Sequence, residues 1–531
     1  MEQRNMFLAF ALSIAVLVGW SYIFPSPKPD TELNSTSVSA TQTDKQQPVI
    51  AGNHAQAPEL RPTGVDVNSV ESIPNPSEEK SKKIFYLSNN LLRLGMDDRG
   101  WLTEGELLHY TESIEPTSDF IHILSTGKGH NVYVNSGVLG HQRVTPFVLN
   151  KDLSNRHQKV FTATLKSGEV WQRTLSLKPD SYIIHCEDRI IKGAGFKMFR
   201  QVVERNPDKA LDTFYEHMGA TGLLSNVLQE PSYDDLDETP VKMSATGGWT
   251  GIMNRYFLTA LLSQEGNDYR YYYKGDGRSY QAGVLDDGVL DQGDALFISD
   301  IYMGPKAIAV MEPLNLDLER SVDFGIFSFI AKPMHEFMLW IDGFVHNFGW
   351  SIILLVVCIK IILFYPSHKA YVSMAGMRKI QPDMVRLKEL HGEDKQKMGQ
   401  EMMKLYKKNK VNPLGGCLPI LIQIPIFFAL YKVLLMSIEM RQAPFIGWIQ
   451  DLSVQDPYFI LPVVMGISMY IQQKLNPQPT DPMQAKIMQF LPPVFTVMFL
   501  FFPAGLVLYW VINNTLTILQ QYYVMKKLKA I

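Results

Sequence analysis

Two periodicities divide this chain. Between residues 81 and 322 apolar and polar positions alternate; from 323 onward apolar residues recur every three or four, or merge into long runs. "KVFTATLKSGEVWQRTLSL" (159–177) reads as two strands around a Ser-Gly turn, and Pro179-Asp180 then turns the chain into "SYIIHCEDRII" (181–191). "NDYRYYYKGDGRSY" (267–280) has the same signature. Strands of this size, spaced regularly and without parallel-sheet crossovers, predict an antiparallel all-β sandwich over 81–322.

The flanks differ. Arg4 precedes an apolar run from Met6 to Phe24, long enough as a helix to cross the ~30 Å hydrocarbon layer. No small-x-small cleavage site and no lipid-accepting cysteine follows, so residues 1–24 are expected to be an uncleaved membrane anchor. Residues 25–80 are rich in Ser, Thr, Pro, Gln and Asn and nearly free of aromatics. They cannot bury enough apolar surface to offset ordering and are expected to be a disordered linker.

Beyond the β segment, Phe327, Ile330, Met334, Phe337, Ile341 and Phe344 recur at helical spacing, with Lys332, Glu336 and Asp342 among them. This predicts an amphipathic helix over 323–346, interrupted early by Pro333 and lying flat on the outer membrane surface. Five apolar segments follow, at Trp350–Tyr365, Cys417–Ser437, Pro457–Gln472, Ile487–Phe502 and Gly505–Tyr523. With the first anchor they make six spans, five of them in a unit covering 347–531. Trp350–Tyr365 and Ile487–Phe502 are short, about 24 Å of helix each, so the bilayer is expected to thin around them or their ends to be wet.

Charge orients these spans. The segment 367–411 carries 11 Lys/Arg, and Lys526, Lys527 and Lys529 follow the last span. The loop after the third span has Arg441 against Glu439, Asp451 and Asp456. Positive loops stay in the cytoplasm, which places both termini inside and the β domain outside. The net charge of −3 hides this asymmetry: residues 326–531 carry 20 Lys/Arg against 11 Asp/Glu, and residues 1–325 carry 30 against 42. Within 367–411 two helical stretches flank "HGED", which supplies a turn and an N-cap. Met384, Leu387 and Leu390 can face Met398, Met402 and Leu405 in a two-helix cytoplasmic hairpin. Its lysines are either a solvated face or a contact for nascent chains, ribosomal RNA or anionic lipid.

The candidate chemistry lies in the spans. Lys360 is the one charged residue of the second span, where a buried charge costs ~2.5–3.5 kcal/mol on insertion scales. Either its stem snorkels toward the end of the span at Tyr365 or it lies in a water-filled cavity between spans. Gln423 sits in the third span. Asn513, Thr517 and Gln520 share one face of the sixth, and Tyr509, with Trp510 beside it, extends that stripe by a turn. Interhelical hydrogen bonding is one reading of this stripe; a hydrated groove lined by Lys360, Gln423, Tyr509, Trp510, Asn513, Thr517 and Gln520 is the other. "STGKGH" lacks Walker spacing and "HEFML" lacks the second histidine of a zinc helix. Cys186, Cys358 and Cys417 do not make a disulfide framework.

Three long segments carry a family resemblance: "NPLGGCLPILIQIPIFFALYKVL" (412–434), "MRQAPFIGWIQDLSVQDPYFILPVVMG" (440–466) and "DPMQAKIMQFLPPVFTVMFLFFPAGLVLYWVINN" (481–514). They closely resemble the YidC membrane protein insertases, and "QRN", the linker and the β segment resemble the Gram-negative version. The resemblance implies an α-helical integral membrane protein of the bacterial inner membrane. It implies a five-helix insertase core after the N-terminal anchor, and a periplasmic β-supersandwich similar to sugar-binding folds. It implies a polar groove open to the cytoplasm and lipid, with a positive residue in the second span. Lys360 takes that place, where Gram-negative members usually carry Arg. The protein would be no enzyme and would need no cofactor. Its partners would be nascent integral membrane proteins, the Sec translocon with its accessory subunits, the ribosome and signal recognition pathway through the hairpin and the short tail, and membrane lipids. Two rivals remain: a small-solute transporter or channel, which lacks the expected inverted repeat, and an anchored sugar-binding protein, for which no carboxylate pair is found.

Overall fold

The computed structural model describes residues 83–529, apart from 128, 142, 144, 212–215, 392–393, 410, 412–417 and 477–481. The expected anchor at 1–24, the linker at 25–80 and Cys417 lie outside the described residues.

Strands run from Ile84 to Pro305, and all the pairings recorded between them are antiparallel. One sheet pairs Ile84–Ser88, Leu92–Asp97, Leu102–Thr111, Asn131–Val138, Met198–Arg205 and Ser279–Asp286 in sequence. The other runs through Asp294–Pro305, Ile183–Ile191, Val170–Leu177 and Gln158–Thr164. The 19-residue strand Phe257–Gly275 belongs to both: its first half pairs with Asp294–Pro305 and its second with Ser279–Asp286. Its neighbour Val241–Met253 follows it across, with a bulge between Thr246 and Gly248. Gly248 is needed there: its φ is +95°, and a Cβ would lie 2.4 Å from the Leu223 carbonyl oxygen.

The alternation seen in the sequence is the burial pattern. Along Val170–Leu177 every second side chain is buried, and Ile183–Ile191 does the same. Most inward residues are apolar, but Arg173 and Asp188 face each other across the pair and both are buried. Asp188 accepts from Trp171 Nε1 (2.6 Å), Arg173 Nε (2.7 Å) and Arg200 Nη2 (2.5 Å). Arg173 also donates to Ser136 Oγ and the Gly100 carbonyl, and Arg200 to Cys186 Sγ. Two guanidiniums share this carboxylate, and hydrogen bonds to neutral groups take up further donors.

Two short helices, α1 (Tyr233–Glu238) and α2 (Ile308–Met311), accompany the strands; the rest is helical. Helix α3 (Ser328–Val345) buries Ala331, Met334, His335, Met338 and Ile341. Phe329, Phe337, Trp340 and Phe344 are exposed, with Phe337 stacked on Trp340. The single aromatic-rich face expected from spacing is therefore two faces, with Met334 and Ile341 inward and the aromatics outward. Nor does Pro333 interrupt α3. It lies in the second turn and deletes one hydrogen bond, to the carbonyl of exposed Phe329.

Helix α4 (Phe348–Ile362) starts on Asn347, whose side chain accepts from Trp350 N (3.2 Å). It ends earlier than the expected Tyr365: the chain bends by 68° into α5 (Phe364–His391). Pro366 explains the position, since it cannot donate to Ile362, four residues back, and its ring crowds that carbonyl. Helix α6 (Lys395–Asn409) packs back against α5, and Asp394 caps its start by accepting from Lys397 N (3.0 Å). Then come α7 (Leu418–Met436), α8 (Ile460–Leu475), α9 (Pro482–Phe499) and α10 (Ala504–Lys527). Among the described residues no single helix is long and apolar enough to cross a membrane. The bent pair α4–α5 passes together, and 422–436 and 485–499 are shorter apolar helices.

The β part and the helices are joined. Arg441 Nη2 donates to the carbonyls of Thr111 (2.5 Å) and Glu112 (3.1 Å), and Gln442 Nε2 to Thr111 (2.8 Å). Between α8 and α9 the approach is close: a Cβ on Gly466 would lie 2.0 Å from Thr496 Oγ1. That hydroxyl is held by donating to the Pro492 carbonyl (2.8 Å). Gly466→Ala is therefore expected to destabilise the helical part by about 1–3 kcal/mol through overpacking. Thermal unfolding in detergent measures this. Adding Thr496→Ala should recover much of the loss, and equal melting of Gly466→Ala and wild type would refute the packing account.

Candidate functional site

Four helices line a narrow cleft of ≈ 20 Å³. Helix α4 supplies Val356, Ile359 and Lys360, and Leu363 at the bend adds an apolar wall. Helix α5 supplies Ser367 and Tyr371, α7 supplies Ile422, Gln423 and Ile426, and α10 supplies Tyr509 and Asn513. Helix α8 packs behind α10 and holds it from the far side.

The polar groups are connected. Lys360 Nζ donates to Thr517 Oγ1 (2.8 Å), and that hydroxyl donates to the Asn513 carbonyl (2.7 Å). Gln423 Nε2 donates to Tyr509 Oη (3.3 Å). Tyr509, Asn513 and Thr517 stand at i, i+4 and i+8 on α10, so one helical face points all three at the α4 cation. No carboxylate among the described residues makes an ion pair with Lys360; its recorded partner is a neutral hydroxyl. A half-buried ammonium with one neutral partner keeps two donor hydrogens for an incoming acceptor.

The residues singled out in the sequence fall into two groups. Lys360, Gln423, Tyr509, Asn513 and Thr517 are brought together around the cleft. Gln520 lies further along, donating to the Phe364 carbonyl (3.2 Å) at the start of α5. Trp510 packs into an aromatic cluster with Phe427 (5.2 Å between centroids) and Phe499 (5.8 Å) and does not line the cleft. That cluster, with Tyr431 and Phe502, closes the Pro503 end of α10. Ser367 and Tyr371 follow Pro366, and the charge pattern alone places them in the basic loop. The signal was present: positions 360, 363, 367 and 371 keep a helical spacing through the bend.

Among the described residues no group of three or more His, Cys, Asp or Glu is placed to hold a metal ion.

Comparison with known proteins places both halves. Residues 340–530 match the family described as 60Kd inner membrane protein, and residues 87–337 match the YidC periplasmic domain. The membrane protein insertase YidC of Magnetococcus marinus is 37% identical over 561 residues, covering 100% of this chain and 99% of that protein. The YidC of Saccharophagus degradans is 38% identical over 489 residues, covering 87% of each. Among solved structures, an active YidC insertase with its first transmembrane domain resolved shares 17% identity, covers 84% of this chain and 93% of that one, and superposes with a TM-score of 0.38.

Proposed function

The chain belongs to the YidC family of membrane protein insertases, and on that premise we infer that it works through the cleft around Lys360. The observation that carries this reading is the Lys360–Thr517 contact, a cation on a neutral partner in a polar cleft between apolar helices. A hydrophilic segment of a nascent membrane protein enters the cleft from the cytoplasm. Its acidic groups approach Lys360, while Gln423, Asn513, Thr517 and Tyr509 replace hydrogen bonds to water. The substrate's apolar segment then moves into lipid, driven by about 25 cal/mol for each Å² of apolar surface removed from water. No nucleotide and no bond-making step is required.

The wider arrangement belongs to the same proposal. Six spans, both termini in the cytoplasm and the β domain in the periplasm follow from the loop charges. Local thinning of the bilayer at the short spans shortens the polar path. The α5–α6 hairpin and the tail are basic enough to meet the ribosome or the signal recognition pathway, and the Sec translocon is the partner for larger substrates. The solute-transporter alternative has no support among the relatives, which are named insertases.

A photocrosslinker at position 513, activated while a single-spanning substrate is being synthesised, is expected to capture the nascent chain. The same probe on the exposed face of α3, at Phe344, should capture little. Depleting the protein should leave such substrates uninserted; capture at neither site together with undiminished insertion after depletion would end this reading.

A further inference from the structure

Helix α10 carries a second polar pair, one position on from the cleft residues. Asn514 and Gln521 are buried, seven residues apart, and face α8. Asn514 Nδ2 donates to Ser468 Oγ (3.0 Å), and that hydroxyl donates to the Met465 carbonyl (2.6 Å). Gln521 Nε2 donates to Asn476 Oδ1 (2.9 Å), just past the end of α8. The two ties are spaced about 10 Å along α10. Arg378 of α5 holds the same end of α8, donating to the Leu475 carbonyl (3.3 Å).

A tie at two heights does what apolar packing in a membrane does poorly. Lipid is as apolar as a leucine face, so apolar contacts discriminate weakly between rotations of a helix about its own axis. Hydrogen bonds at fixed positions do discriminate, because a turned helix leaves a buried amide without a partner. Neighbouring positions on α10 lie about 100° apart. Rolling it by one position would carry Thr517 away from Lys360 and bring Asn514 toward the cleft.

We propose that the Asn514–Ser468 and Gln521–Asn476 hydrogen bonds fix the rotation of α10, making these four positioning residues for the Lys360–Thr517 contact. The proposal rests on the cleft being the substrate's route. It predicts that Asn514→Leu, which keeps side-chain size and loses the bond, turns α10.

The test uses the full chain in native membranes, with Cys186, Cys358 and Cys417 replaced by alanine; labelling is read with Asn513→Cys as reporter, and insertion is read in the same chain with Asn513 intact. The rate at which a small maleimide labels the reporter thiol at position 513 should change about three- to tenfold on adding Asn514→Leu, and substrate insertion should fall by a similar factor. Exchanging the partners, Ser468→Asn with Asn514→Ser, should bring both measurements back. An unchanged labelling rate, or no recovery in the exchange, overturns the proposal. Shifted and recovered labelling with insertion unaffected would confirm the positioning and instead reject the cleft as the route. If Asn514→Leu fails to accumulate, Ser468→Ala, which deletes one hydroxyl, gives the same readings.

Discussion

Lys360→Met is expected to slow insertion of substrates with acidic residues in their translocated segment by about 10- to 100-fold, and to leave neutral-segment substrates within a few-fold of wild type. The physical difference is one charge. Methionine keeps most of the volume and apolar stem of lysine, so the walls formed by Val356, Ile359 and Leu363 keep their packing. What disappears is a charge-assisted hydrogen bond to an incoming carboxylate, about 1.5–3 kcal/mol in a partly desolvated site. Lys360→Arg should retain activity, because the cleft offers Thr517 and Asn513 as acceptors and sets no point-charge requirement. Protease protection of radiolabelled substrates, in cells where the variant replaces the native protein, separates the two substrate classes. Equal insertion of acidic-segment substrates by the Met variant and the wild type would remove Lys360 from the mechanism.

The second large effect lies far from the cleft. Asp188→Ala is expected to cost the β domain about 3–5 kcal/mol, a large fraction of the roughly 5–15 kcal/mol that keeps a domain folded. Removing the carboxylate leaves Arg173 and Arg200, both buried, without the ion pair they share. Burial alone would raise the Asp188 carboxyl, but the Arg173 and Arg200 guanidiniums and the Trp171 indole outweigh it and hold it below the usual carboxylate range. The direction fixes the pH dependence. A carboxyl depressed in the folded state contributes stability that is full above the unfolded value near ~4 and is lost as pH falls through the folded value. Wild type should therefore weaken below about pH 4 in a way that Asp188→Asn does not. Pulse proteolysis in urea on the whole protein in detergent measures both. A midpoint for Asp188→Ala equal to wild type would show that the arginines find water in its place.

Much of this architecture was legible in the chain. Period two between Lys159 and Ile191 marked strands because alternate side chains must enter one core, and Gly168 turned the hairpin where expected. Helical spacing and long apolar runs marked the second half. Motifs such as the one ending in Asn514 carried the family. The cleft was legible in outline, since a lysine amid leucines and isoleucines and polar positions four apart on one helix are local facts.

Three features depended on distance and could not be read locally. Pro366 was visible, but the 68° bend that turns α5 back along the cleft, with Ser367 and Tyr371, follows from where the next helix packs. Gln520 stood in the same stripe as Asn513 and Trp510 was expected in the same groove, and their neighbours Phe364 and Phe427 draw them elsewhere. Arg173, Asp188 and Arg200 looked like ordinary strand polars; strand pairing joins Arg173 to Asp188, and Arg200 reaches them from a strand that pairs with neither of theirs.

By itself the sequence determined the order of a β-rich part and a helical part, the strand and helix periods, and which residue types were available as charge and hydrogen-bonding groups. Those follow from local sterics and from transfer of side chains out of water, which act within a few residues. The tertiary structure alone decided which residue of that stripe touches Lys360, which face of α10 meets Ser468, and which charges are paired inside the sandwich. Those choices rest on contacts between residues as far apart as 360 and 517, where no local preference reaches and only simultaneous packing of several helices selects the partner.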